Sequence, residues 1–218
     1  MKRARFQVRV EGQGYSAQLI PASLDGYVGQ GASALLRIQV QGGFSGRLTL
    51  AVRDGLTGAF VPWLSTNPAT IEVRGNGEIP ITFNIAQGAP LGSHSLKLAL
   101  LGSQNQEVDF NLTVRQPTFQ VQLSATSFSI SPGGHSTATL TVTTEGGFSG
   151  QINLSLSGNG SGQFTLAPDV VNTSTSSWGL TLTASPSAAP GTYTLILNAT
   201  SGGIVRQIPI SITVPQVQ

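Results

Sequence analysis

Gly42-Gly43-Phe44-Ser45-Gly46 recurs as Gly146-Gly147-Phe148-Ser149-Gly150, 104 residues later. The recurrence extends to both sides. Ala34, Leu36 and Ile38 match Ala138, Leu140 and Val142, and Leu48, Leu50 and Val52 match Ile152, Leu154 and Leu156, at the same offset. Further on the offset falls to 99 or 100, so the second copy has a shorter middle. There Ile79, Ile81, Phe83 and Ile85 match Trp178, Leu180, Leu182 and Ala184. Gly92-Ser93-His94-Ser95-Leu96 matches Gly191-Thr192-Tyr193-Thr194-Leu195, and Val108, Phe110, Leu112 and Val114 match Ile208, Ile210, Ile212 and Val214. A period of about 100 residues is long enough for each copy to bury a core of its own.

Every matched segment alternates apolar and polar residues with period two, the pattern of a strand with one face on a core and one in water. No long segment carries a 3.6-residue stripe. Turn sequences recur at intervals of roughly ten residues, among them Ser131-Pro132-Gly133-Gly134, Ser157-Gly158-Asn159-Gly160 and Ser201-Gly202-Gly203. About seven strands in about 100 residues is the size of an immunoglobulin-like sandwich. The predicted fold is therefore all-β: two tandem immunoglobulin-like β-sandwiches with an extra N-terminal strand. The expected boundaries are an N-terminal extension over 1–14, a first domain over 15–115, a linker at 116–118 and a second domain over 119–218. Pro117 stiffens that linker. Pro209 marks the last strand as an edge strand, since proline cannot donate to a ladder.

Ser131-Pro132-Gly133-Gly134, the Gly146–Gly150 loop and Ala189-Pro190-Gly191-Thr192-Tyr193-Thr194-Leu195 make the second copy, Phe119 to Val214, resemble the bacterial immunoglobulin-like repeats. Those repeats occur in tandem on secreted hydrolases, surface proteins and phage structural proteins. The first copy matches less closely, with Gly29-Gln30-Gly31 in place of the Pro-Gly-Gly turn and His94 in place of the tyrosine. The resemblance implies the sandwich fold and a role as spacer, stabiliser or adhesion unit.

Charge narrows the function classes. Eleven Lys and Arg against nine Asp and Glu make only 9% of the chain charged, so no dense basic face for nucleic acid exists. With no cysteine, disulfides and Cys-ligated zinc are excluded. No stretch approaches the length of apolar residues that spans a bilayer as a helix. The first 116 residues hold ten basic and seven acidic residues, whereas the remainder has Arg206 against Glu145 and Asp169. The polar face of the second copy is thus almost purely Ser, Thr and Gly.

The residues that could carry chemistry do not form a constellation. His94 and His135 fall in different copies, and His94 occupies the position of the corner tyrosine Tyr193, so a hydrogen bond to nearby backbone is expected of it. His135 is expected to face solvent. Asp25, Asp54 and Asp169 are the acids a loop ion site would draw on, but no Asp-x-Asp-x-Asp-Gly run joins them. Glu72 and Glu78 flank Arg74-Gly75-Asn76-Gly77 and read as solvated hairpin charges. The Gly-Gly-Phe-Ser-Gly serines lie between strands and not at a strand-to-helix elbow, and Phe44 and Phe148 are expected to plug the sandwich ends. Gly158-Asn159-Gly160-Ser161-Gly162 looks like a phosphate loop without the helix it needs. Trp178 is expected in the core. Phe60 and Trp63, in a stretch unique to the first copy, form either an aromatic binding surface or a cap on the core. No catalytic residue, metal site or cofactor is expected.

Residues 1–14 are surplus to the repeat, because Tyr15–Leu19 aligns with Phe119–Leu123. Within them Phe6, Val8 and Val10 alternate with Arg5, Gln7 and Arg9. Either this segment adds to the sheet edge of a neighbour, or it is the first strand itself, followed by an insertion. Lys2, Arg3, Arg5, Phe6, Val8, Arg9 and Val10 are the candidate partner-binding residues, with an acidic surface as the expected partner. The N-terminus is basic but lacks the apolar run of an export signal. A surface-type fold on such a chain leads to the expectation of a non-enzymatic structural protein of a bacteriophage virion, decorating head or tail in many copies. The alternative is a spacer, adhesion or glycan-binding module of a secreted or cell-surface protein. Protein subunits are the expected partners, with no nucleic acid and no membrane insertion.

Overall fold

The computed structural model describes residues 12–216 and divides between Gln116 and Pro117 into two compact units. Each is an immunoglobulin-like sandwich of two sheets. The first unit comprises β1 (Gly14–Ile20), β2 (Ser23–Tyr27), β3 (Gly31–Gln41), β4 (Gly46–Asp54), β5 (Leu64–Asn67), β6 (Thr70–Val73), β7 (Gly77–Ile85), β8 (Gly92–Leu101) and β9 (Gln106–Arg115). The second repeats the series as β10 (Thr118–Leu123), β11 (Ser127–Ser129), β12 (His135–Glu145), β13 (Gln151–Ser157), β14 (Phe164–Ala167), β15 (Val170–Asn172), β16 (Ser177–Ala184), β17 (Gly191–Ser201) and β18 (Ile204–Val214).

In the first unit a four-stranded sheet β1-β3-β7-β5 faces a five-stranded sheet β2-β9-β8-β4-β6. The second unit has the same orders, β10-β12-β16-β14 and β11-β18-β17-β13-β15. Among the described residues each unit thus holds nine strands rather than seven. The opening strand switches sheets part-way: β1 pairs antiparallel with β3, and β2 then pairs in parallel with β9. A second short strand, β6 or β15, adds to the opposite edge. Strands of three to five residues are too short for alternation to register in the sequence.

The pleat explains the burial. Along β3, Ala32, Ala34, Leu36 and Ile38 point inward while Ser33, Leu35, Arg37 and Gln39 point out. Two turns show what glycine is needed for. Gly202 and Gly203, at φ 54° and 82°, form the two-residue link of the β17–β18 hairpin. Gly42 and Gly43, at φ 60° and 71°, let Gln41 turn between sheets and send Phe44 inward.

The cores differ. The first unit has one continuous cluster, centred on the Phe83–Phe110 pair at 4.8 Å between ring centroids, which joins the two sheets. At the matching positions the second unit has Leu182 and Ile210, and its core falls into two clusters. Half-buried Leu123, Leu156, Leu166 and Ile208 bridge them. Leu19 and Val52, the first-unit counterparts of Leu123 and Leu156, are almost fully buried.

Two expectations need correction. Arg74–Gly77 is not a hairpin turn, because β6 and β7 belong to different sheets. Glu78 instead pairs with Arg37 across β3 and β7 at 2.7 Å, and Glu72 lies opposite Arg47. The last strand is an edge over only part of its length. Ser211–Thr213 pairs with β11, and Pro209 lies just before that pairing begins. Ser211 N–H donates toward β11, to Thr126 O, so Pro209, two residues earlier, points its missing donor to the open side.

Candidate functional site

The clearest local chemistry is a pair of equivalent corners. On β17 the Tyr193 hydroxyl donates to Ala189 O at 2.8 Å, four residues back. On β8, His94 Nε2 lies 2.9 Å from Pro90 O, also four residues back. His94 therefore takes the backbone-bonding role expected of it. Each corner leans on the loop that leads into β5 or β14. Trp63 packs on His94 with ring centroids 4.9 Å apart. Its counterpart Gln163 sits with Oε1 3.3 Å from the Tyr193 hydroxyl and accepts from Ala189 N–H at 2.9 Å. Trp63 and Gln163 also use the same backbone atom, their carbonyls accepting from Ala86 and Ser185.

Trp63 is half-buried against the core, whereas Phe60 is 67% exposed. The two are neighbours in one loop. That loop, Asp54 to Trp63, is held from within. Asp54 Oδ1 accepts from Thr57 N–H at 2.7 Å, Thr57 Oγ1 at 2.8 Å and Leu56 N–H at 3.1 Å. These bonds, the one from Thr57 N–H foremost, hold the Asp54 carboxyl below its ordinary pKa. Asp54 N–H and Val61 N–H bond to Ala59 O and Val52 O, so Ala59–Val61 lies alongside β4 as a short added strand. Val61 is buried over Val52.

In the second unit the corresponding loop is four residues shorter, which is where the repeat offset drops from 104 to 100. A single 3-10 turn, Ser161–Gln163, replaces the added strand. It begins within the Gly158–Gly162 run, where no helix was expected, but it is three residues long and supplies no helix N-terminus for an anion. A groove stays open beside β13, lined by Leu154, Leu156, Phe164, Leu166 and Asp169. Nothing in the strand pattern announced it. The falling offset was the available signal.

The sheet ends at the start of each unit are closed differently. The Tyr15 hydroxyl donates to Gln104 O at 3.0 Å, and Gln104 Nε2 donates to Gln13 O. Burial pushes the Tyr15 phenol above its ordinary pKa. Phe119 replaces Tyr15 in the second unit and has no hydroxyl. There Arg206 Nε donates to Phe119 O and its Nη2 to Thr118 Oγ1, both at 2.8 Å. The lone basic residue of that unit is thus committed to joining its two sheets.

The remaining candidates are dispersed. Asp25 pairs with Arg115 at 2.8 Å, and His135 and Asp169 are exposed. Phe44 packs on Tyr15 at 4.8 Å and Phe148 on Phe119 at 5.0 Å, so both phenylalanines close sandwich ends, while Ser45 and Ser149 face water. Trp178 is half-buried rather than fully in the core, with its indole N–H donating to Asn172 O at 3.1 Å. Among the described residues no three His, Asp or Glu gather as a metal site, and no helix is long and apolar enough to cross a membrane. Among the described residues the first strand is β1, in the register against β3 that β10 keeps against β12. The candidate partner-binding residues Lys2, Arg3, Arg5, Phe6, Val8, Arg9 and Val10 lie outside the described residues.

No known protein-family profile matches the chain, and no curated protein matches it in sequence. Solved structures to which the chain is similar include the titin domains Z1Z2 in complex with telethonin, at 15% identity and TM-score 0.45, covering 97% of this chain and 100% of that one. Domains 1–6 of the surface-layer protein SbsC match at 10% identity and TM-score 0.41, over 84% of this chain and 32% of that one. The Yersinia pseudotuberculosis adhesin InvE matches at 13% identity and TM-score 0.35, over 92% of this chain and 59% of that one. At these identities the likeness does not extend to partners or activity. The protein is a tandem immunoglobulin-like β-sandwich protein, as its own sheet topology shows.

Proposed function

We propose that the protein is a non-enzymatic structural module that docks, in many copies, onto other protein subunits of an extracellular assembly. The observation that carries this reading is the surface of the two sandwiches. Leu56 (93% exposed), Phe60, Leu91, Val170 and Val205 stand in water, on a chain with few charges to keep such groups apart. A surface of this kind is tolerable where much of it is covered by neighbours. The assembly we name is a bacteriophage virion, with the protein as head or tail decoration, and the bacterial character of the repeats belongs to the same proposal. The Lys2–Val10 segment is its docking arm.

The deciding experiment is intact-mass analysis of the native protein combined with sedimentation of cell-free particles. The expected result is the chain in stoichiometric amounts on particles, and its return to particles stripped of it. A chain that stays monomeric and does not rebind ends this reading. Exposed Phe60 supports the second reading, a protein- or glycan-binding module at the cell surface. Trp63 fluorescence that responds to a sugar would move the assignment there.

A further inference from the structure

The first unit shows what fills the space beside its own β4. Ala59–Val61 lies there as an added strand, Val61 turned into the core and Phe60 turned out. The second unit lacks those residues. Its Leu154 N–H donates to Asp169 O at 2.6 Å, toward the edge where β15 pairs. Strand alternation then turns the N–H and C=O of Leu156 to that same side, beyond the end of β15. Leu156 and Leu166 are left half-buried, on either side of a groove that Phe164 floors and Asp169 borders.

We infer that this groove is a strand-acceptor site and that its occupant is the Arg5–Val10 segment of another copy of the chain. The inference rests on the multi-copy reading above and deepens it. Phe6, Val8 and Val10 alternate as an incoming strand requires, with Val8 in the role that Val61 plays in the first unit. Charge selects the same pairing. Residues 1–11 hold Lys2, Arg3, Arg5 and Arg9 against Glu11, while the second unit holds Glu145 and Asp169 against Arg206. Because Arg206 is engaged with Phe119 and Thr118, Asp169 at the groove rim meets Arg5 or Arg9 unopposed. The first unit's groove is already filled, so each chain has one donor and one acceptor. Such a contact is heterologous and joins copies head to tail.

The test is sedimentation velocity on the full chain over a wide concentration range, alongside Leu156→Arg, Asp169→Lys and a synthetic peptide of residues 1–11. The expected result is concentration-dependent association, reversed by the peptide. Leu156→Arg abolishes it, and Asp169→Lys weakens it about three- to tenfold at low salt. Should Leu156→Arg fail to fold by circular dichroism, Asp169→Lys and the peptide decide. Association that neither variant nor the peptide alters overturns the groove and leaves the assembly reading standing. A full chain that is monomeric at every concentration overturns the strand exchange. If it also fails to bind particles, the assembly reading falls separately.

Discussion

The two units share strand order, register and corner geometry, yet they close three places by different means. At the centre, the first unit sets Phe83 against Phe110 where the second has Leu182 and Ile210. At the sheet end, a buried phenol and a loop amide do the work of one arginine. Beside β4 and β13, a ten-residue loop region from Asp54 to Trp63 stands against a short 3-10 turn. The frame is set by alternation and turn residues, which both copies keep. Closure is set by individual side chains, and these can be exchanged as long as each buried polar group finds a partner.

Truncating the central pair breaks the comparison most severely. Phe83→Ala is expected to destabilise the first unit by roughly 3–5 kcal/mol, because the cavity lies in a continuous core that cannot collapse around it. Leu182→Ala is expected to cost less, near the low end of the roughly 2–5 kcal/mol range for Leu→Ala, since its cluster is already bounded by half-buried residues. Urea unfolding of the full chain, followed by residue-resolved hydrogen exchange in each unit, measures both. Equal losses would mean that the division of the second core has no energetic content.

The frame was readable in the sequence because period-two alternation repeats wherever a sheet has one wet face. Ala34, Leu36 and Ile38 could be placed inward on that basis, and the matched positions Ala138, Leu140 and Val142 in the second copy followed. The short strands β2, β6, β11 and β15 were not readable, since three to five residues do not establish a period. Arg74–Gly77 looked like a hairpin because turn chemistry is the same whether the flanking strands pair or cross between sheets. The corner role of His94 was legible from its alignment with Tyr193. The groove beside β13 was not, because it consists of what the second copy lacks.

Next in size is the sheet-end clamp. Arg206→Ala removes two hydrogen bonds from a charged, part-buried donor and leaves Phe119 O without a partner from it, an expected loss of about 1.5–3 kcal/mol. Arg206→Lys is expected to recover only part, because a point charge cannot serve two acceptors in fork geometry. Tyr15→Phe in the first unit removes one neutral bond and is expected to cost about 1 kcal/mol. Thermal unfolding of the three variants ranks them. A smaller loss for Arg206→Ala than for Tyr15→Phe would show that the arginine does not carry the closure of the second unit.

The smallest difference concerns acid. Asp54 caps its loop in the first unit, while the Gly158–Gln163 loop of the second has no ionisable side chain. A carboxyl whose folded pKa lies below its unfolded value adds stability at every pH above the unfolded value. That contribution disappears as the pH falls through the folded one. The Asp54 loop is therefore expected to stay ordered down to its ordinary pKa of 3.8 and to loosen below it. The readout is hydrogen exchange at the Leu56 and Thr57 amides, which accelerates in that window after correction for intrinsic rates. Asp54→Asn removes the pH dependence, because the amide accepts the same bonds without titrating. The amides of Ser161 and Gln163 show no such step, as their partners are the Gly158 and Gly160 carbonyls. A step of equal size in both loops would place the acid response in global unfolding and not in the cap.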